Sequence, residues 1–129
     1  MRNSLIILSL FLGSLMAQPS FTAANISTSA NGAYSVYAAD MDNDGDIDVL
    51  SASSIDDKIA WYENDGAADP SFTARTISTS ADAAKSVYAA DIDNDGDIDV
   101  LSASYDDDKI AWYENDGAAD PSFTARTIS

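Results

Sequence analysis

The sequence contains no cysteine and no histidine, and only 6 lysines and arginines against 22 aspartates and glutamates, for a formal net charge of −16. Each shortage excludes something. Without cysteine no disulfide can brace the chain, and zinc sites built on thiolate or imidazole are ruled out. Without histidine, the many serines have no obvious base to activate them as nucleophiles. Without a basic patch the chain cannot displace counterions from phosphates, so nucleic acid and anionic membrane surfaces are not expected partners. Long amphipathic stripes with a 3.6-residue period are also missing after residue 18, so helix is disfavoured throughout the mature chain. Disorder, the common fate of acidic chains, does not fit either. Hydrophobic residues make up 46% of the sequence and alternate with turn signals.

What is present begins with an export signal over residues 1–17. Arg2 gives a short positive start, Leu5 to Leu12 is an apolar run broken only by Ser9, and Gly13, Ser14 and Ala17 supply small residues near a cleavage point. The apolar run is shorter than the ~20 residues a membrane span needs. The mature chain is therefore expected to be secreted or displayed at the cell surface, with no membrane span.

Residues 18–129 are one unit written twice. Residues 20–70 align without a gap on 71–121, and residues 122–129 begin a third copy. The differences are Ala24/Arg75, Asn25/Thr76, Asn31/Asp82, Gly32/Ala83, Tyr34/Lys85, Met41/Ile92, Ser54/Tyr105 and Ile55/Asp106. Each unit reads as four short strands. In the second copy these are residues 86–90, 98–103, 109–114 and 123–128. Ile110 and Trp112 alternate with Ala111 and Tyr113 at the strand period of two, and Asn115-Asp116-Gly117 marks a turn. Four strands in about 50 residues is the size of one blade of a β-propeller. The expected fold is thus all-β, with two blades of four antiparallel strands plus a partial third. That is fewer than a closed propeller contains, so the chain is read either as part of a longer protein or as a unit whose copies close a ring. The break inside the third copy favours the former.

The chemistry concentrates in Asp40-Met41-Asp42-Asn43-Asp44-Gly45-Asp46-Ile47-Asp48, repeated as Asp91-Ile92-Asp93-Asn94-Asp95-Gly96-Asp97-Ile98-Asp99. Five carboxylates in nine residues repel one another unless a hard cation gathers them, and calcium takes six to eight oxygens in a flexible shell. Asp40, Asp42 and Asp44 place alternate side chains on one side of a tight loop, and Gly45 permits the turn around the ion. The carbonyl of Asp46 and the side chain of Asp48 complete the cage, leaving the Asp46 carboxylate to solvent. Asp91, Asp93, Asp95, Asp97 and Asp99 take the same roles, giving two calcium sites. Magnesium fits less well because it retains more water. An EF-hand requires a glutamate at position 12, where this chain has Ser51 and Ser102.

This motif, its place between the first two strands and the Val-Leu-Ser-Ala stretch that follows it resemble FG-GAP/VCBS repeats, the calcium-loop blades of integrin α-chain propellers and of many secreted bacterial proteins. The resemblance extends over residues 19–129 and implies a seven-bladed propeller in the complete protein, with calcium at one face. The Phe-Gly and Gly-Ala-Pro signatures of the integrin units are absent, and Val-Tyr-Ala-Ala stands before each loop, so the bacterial repeats are the closer match.

No catalytic constellation is expected, and the chain is read as a non-enzyme. Glu63 and Glu114 are the only glutamates and occupy equivalent positions, which marks them as strand-end polar groups rather than an acid–base pair. Trp61 and Trp112 are expected to pack between blades, with Tyr62 and Tyr113 on the opposite face. The function read from the sequence is a calcium-braced module for binding an extracellular protein or glycan, as in adhesion. Alternatives are a scaffold within a larger secreted enzyme and a self-assembling, lectin-like protein. Further blades, in this chain or in others, are expected partners.

Overall fold

A computed structural model describes residues 20–128; the export signal of residues 1–17 lies outside the described residues. Among those described there is no helix, and none long and apolar enough to cross a membrane. Eight strands form among the described residues: β1 (Ala33–Ala39), β2 (Asp48–Ser53), β3 (Lys58–Asn64), β4 (Phe72–Ser78), β5 (Ala84–Ala90), β6 (Asp99–Ser104), β7 (Lys109–Asn115) and β8 (Phe123–Thr127). They pair antiparallel in chain order into two four-stranded sheets, β1-β2-β3-β4 and β5-β6-β7-β8. The all-β, blade-like architecture expected from the alternation is therefore present, with strand ends within a residue or two of those read from the sequence.

Each sheet takes its outermost strand from the beginning of the next repeat, since β4 and β8 begin at Phe72 and Phe123. The first copy of that segment, Phe21–Ile26, forms no strand. Phe21 there is 94% exposed.

Register assigns the faces. In the first blade Tyr37 pairs with Leu50 and Leu50 with Trp61, while Val36 pairs with Ser51 and Val49 with Tyr62. Directly opposed residues share a face, so Leu50, Ala52, Ile59 and Trp61 lie on one side and Val49, Ser51, Ala60 and Tyr62 on the other. The same register in the second blade puts Val100, Ser102, Ala111 and Tyr113 together. The core is the junction where the first set meets the second. Leu50, Ala52, Ile59 and Trp61 pack against Val87, Ala89, Val100, Ala111 and Tyr113. Trp61 sits there almost wholly buried, edge-on to Phe123 with centroids 6.4 Å apart. On the face of the first blade away from the junction, Tyr62 accepts a buried hydrogen bond from Ser51 Oγ at 3.3 Å, and on the junction face of the second blade Tyr113 accepts the same bond from Ser102.

Small features fit the chain to this plan. One bulge interrupts β1 between Ala33 and Ser35 and another interrupts β5 between Ala84 and Ser86, adding local twist. The β2–β3 hairpin carries Asp57 at φ 53° and is tied by an Asp56–Lys58 ion pair at 2.9 Å. Glu63 and Glu114 pair across strands with Arg75 and Arg126 at 2.6 and 2.7 Å, as polar groups at strand ends.

Candidate metal centre

The Asp40–Asp48 loop joins the end of β1 to the start of β2, and its own hydrogen bonds fold it. Gly45 N donates to Asp40 Oδ2 at 3.1 Å, Asp44 N to Asp42 Oδ1 at 3.3 Å and Asp46 N to Asp44 Oδ1 at 2.8 Å. Short aspartate side chains closing turns on backbone N–H groups is the ordinary chemistry of such a stretch. Two residues bend the chain into the left-handed region: Gly45 at φ 96°, as its type suggests, and Asn43 at φ 59°. The second loop repeats these bonds, with Gly96 N on Asp91, Asp95 N on Asp93 and Asp97 N on Asp95.

Asp48 anchors the assembly. It is almost wholly buried, and it accepts Met41 N at 2.9 Å and Asn64 N at 2.8 Å, one on each carboxylate oxygen. Asn64 also donates its side-chain amide to Ile47 O at 3.0 Å. The end of β3 thereby clamps the loop between β1 and β2. Asp99 and Asn115 make the same bonds in the second blade. Sequence reasoning missed these asparagines. Asn64 and Asn115 precede Asp-Gly and read only as the start of a turn.

The loop brings three carboxylates together. Asp40, Asp42 and Asp48 each offer an oxygen within 4.8 Å of the others, as do Asp91, Asp93 and Asp99. Asp44, Asp46, Asp95 and Asp97 stand outside these trios. Asp44 and Asp95 are turned to the loop backbone by the bonds above. Asp46 and Asp97 depart from expectation, because their carboxylates are not left to solvent. The Asp46 carboxylate lies against Gly66 so closely that a β-carbon there would fall 2.1 Å from Oδ2, and Asp97 stands likewise against Gly117. Asp97 Oδ1 also accepts Asn43 Nδ2 at 3.1 Å, linking the two loops across the junction.

The trios fit a cation on two grounds. Asp40 Oδ1 and Asp91 Oδ1 are buried and have no hydrogen-bond partner among the described residues, which is costly for a carboxylate oxygen unless something else meets it. Burial, then the charges of Asp44, Asp48 and Glu63, hold the Asp42 carboxyl above its ordinary range, against a hydrogen bond from Asp44 N. Asp93 is raised in the same way, by burial first and then by Asp95, Asp99 and Glu114. Two unit charges about 5 Å apart at an effective dielectric near 20 repel by roughly 3 kcal/mol. A divalent ion at the centre of each trio turns that repulsion into attraction.

A family model described as an FG-GAP-like repeat matches residues 40–102 and again residues 91–129. The chain belongs to the FG-GAP-like repeat family. Both matches begin on the first aspartate of a loop, Asp40 or Asp91. No curated protein and no solved structure matches the chain significantly.

Five of the eight pairs that differ between the FG-GAP-like repeats of this chain, Asn31/Asp82, Gly32/Ala83, Tyr34/Lys85, Ser54/Tyr105 and Ile55/Asp106, gather at the opposite end of the blades. Ser54 N donates to Gly32 O and Ile55 N to Asn31 O, and the same pairing joins Tyr105 to Ala83 and Asp106 to Asp82. Lys85 Nζ stands 4.3 Å from the ring centroid of Tyr34. Tyr34, Ile55 and Tyr105 are all exposed there.

Proposed function

We propose that this chain is an exported FG-GAP-like propeller module whose two aspartate loops each bind calcium as a brace, and whose opposite end carries recognition of an extracellular protein or glycan. The buried, unpartnered oxygens of Asp40 and Asp91 carry the metal assignment. An all-oxygen set of aspartates favours a hard cation, and a compliant loop with several ligands suits calcium over magnesium. The ion's role is structural. It joins strand ends in a chain that has no disulfide to do so. Asp40, Asp42 and Asp48 are the ligands of the first site and Asp91, Asp93 and Asp99 those of the second. Asp46 and Asp97 offer their backbone carbonyls, with their side chains engaged elsewhere.

Recognition is assigned to the far end because five of the eight differences between the repeats fall there, while every aspartate of the two loops is kept. Exposed tyrosines beside Lys85, Asp82 and Asp106 suit hydrogen bonding and stacking on a polar surface. Loops on a rigid scaffold are where binding is tuned. No catalysis is assigned, because Glu63 and Glu114 are held in ion pairs with Arg75 and Arg126. The export signal of residues 1–17 supports an extracellular location.

Calorimetric titration of the chain from Gln18 onward with calcium chloride tests the brace. Two binding events are expected, Asp40→Asn and Asp91→Asn each removing one. Absence of binding at several millimolar calcium ends the proposal.

A further inference from the structure

The two blades bury the same residues to very different extents. Val87 is 4% exposed and its counterpart Val36 is 69% exposed, while Ile59 is 0% exposed and its counterpart Ile110 is 53% exposed. The cause is position alone. The junction closes the Leu50–Ile59–Trp61 face of the first blade on the Val87–Val100–Tyr113 face of the second. The other two faces meet no blade among the described residues, one at each end of the module, and on that of the first blade Tyr62 is already buried, at 5% exposed. On the second blade the open face carries Leu101, Ile110 and Trp112, and on the first it carries Val36, Val49 and Tyr62. None of the substitutions between repeats falls on either set of strand positions, so at these positions the open faces match the closed ones, and Ile92 stands on the second blade where the junction core has Met41.

The open face of the first blade also has the shape the junction needs. A hollow there is lined by Ile26, Ala30, Ala33, Val36, Val49 and Tyr62. Their counterparts in the second blade are Ile77, Ala81, Ala84, Val87, Val100 and Tyr113, and every one of these packs in the junction core. The polar contacts show the same asymmetry. Asn115 Nδ2 donates across the junction to Met41 O at 3.1 Å as well as to Ile98 O, whereas Asn64 Nδ2 reaches Ile47 O alone among the described residues. Arg75 bridges from Glu63 to Asp120 of the second blade, whereas Arg126 pairs with Glu114 alone among the described residues.

We infer that a second copy of this chain docks head to tail on the first, the Leu101–Ile110–Trp112 face of one against the Val36–Val49–Tyr62 face of the next, reproducing the internal junction. The contact is heterologous, because the two patches differ, so copies add until rotation closes a ring. Propellers close with roughly 4 to 8 blades, which corresponds to about two to four copies of a two-bladed chain. The net charge of −16 opposes association, and salt near 0.15 M, with a screening length of about 8 Å, removes most of that opposition.

Sedimentation of the chain from Gln18 onward, in calcium and at that salt, reads the result. Wild type is expected at about two to four times the monomer mass. Val36→Asp and Ile110→Asp, both at positions open in the single chain, are each expected to sediment as folded monomers by circular dichroism. Mixed one to one, they form a dimer and nothing larger, because each retains the face the other lacks. A monomeric wild type at high micromolar concentration overturns the inference, as does a mixture that stays monomeric. In either case the open faces are left for further blades of a longer polypeptide.

Discussion

Phe21-Thr22-Ala23 and Phe72-Thr73-Ala74 are the same tripeptide, followed by Ala24-Asn25-Ile26-Ser27 in one case and Arg75-Thr76-Ile77-Ser78 in the other. One is irregular chain and the other is β4. The difference lies in what stands beside them. β4 has the open edge of β3 to pair with, from Asn64–Phe72 to Ile59–Ser78, and Asp65 holds its entry by accepting Ser71 N at 3.0 Å and the Ser71 hydroxyl. The earlier segment has no β3 before it within the described residues. A strand of this type is thus a property of the pair, in keeping with how strongly β-propensity depends on context. The two faces of each blade teach the same lesson at the next level. Ile59 and Ile110 belong to identical strands, and only one of them meets a neighbour.

That contrast can be broken most forcefully in the core. In a monomeric Val36→Asp background, Ile59→Ala is expected to cost about 2–5 kcal/mol in urea unfolding, while Ile110→Ala costs well under about 1 kcal/mol. Equal losses would mean that the two faces are covered alike.

An intermediate effect is expected from pH. Hydrogen bonds from the Ser71 hydroxyl, Ser71 N and Ala67 N hold the Asp65 carboxyl below its ordinary range. Asp116 is lowered likewise by Ser122 N, then by Ala118 N. A depressed carboxylate stabilises the fold above its unfolded value of 3.8, and that contribution is lost as pH falls through the lower folded value. Amide exchange in β4 and β8 is therefore expected to accelerate below about pH 4 relative to β2 and β6, and Asp65→Asn should reproduce the effect in β4 alone at neutral pH. Unchanged protection of β4 in that variant would remove Asp65 from the account.

The smallest effect sharpens the comparison most. The double substitution Ala24→Arg with Asn25→Thr makes residues 20–27 identical to 71–78. In the monomer, stability should shift by no more than about 0.5 kcal/mol, and amides 21–26 should remain unprotected. Slowed exchange there would show that sequence alone makes the strand.

Much of the site was legible in the residues. The spacing of Asp40, Asp42 and Asp48, and of Asp91, Asp93 and Asp99, announced oxygens converging in a tight loop, and Gly45 marked its bend. Asn64 and Asn115 were not legible, because the bond from their backbone N–H to the loop aspartate joins residues 16 apart in sequence. Nor were the positions of the Asp46 and Asp97 carboxylates, which depend on Gly66 and Gly117 arriving from another hairpin. The burial of Trp61 between blades followed from its place on an internal strand, but which blade would leave its tryptophan half-open did not.

By itself the sequence determined the repeat, the strands, the loops and the residues available to a cation, since all of these are local patterns of period and spacing. The tertiary structure alone decided which of two matching faces is dry, which of three closely similar segments are strands and which aspartates meet. Those outcomes depend on a neighbour, which the local pattern of a repeat does not name.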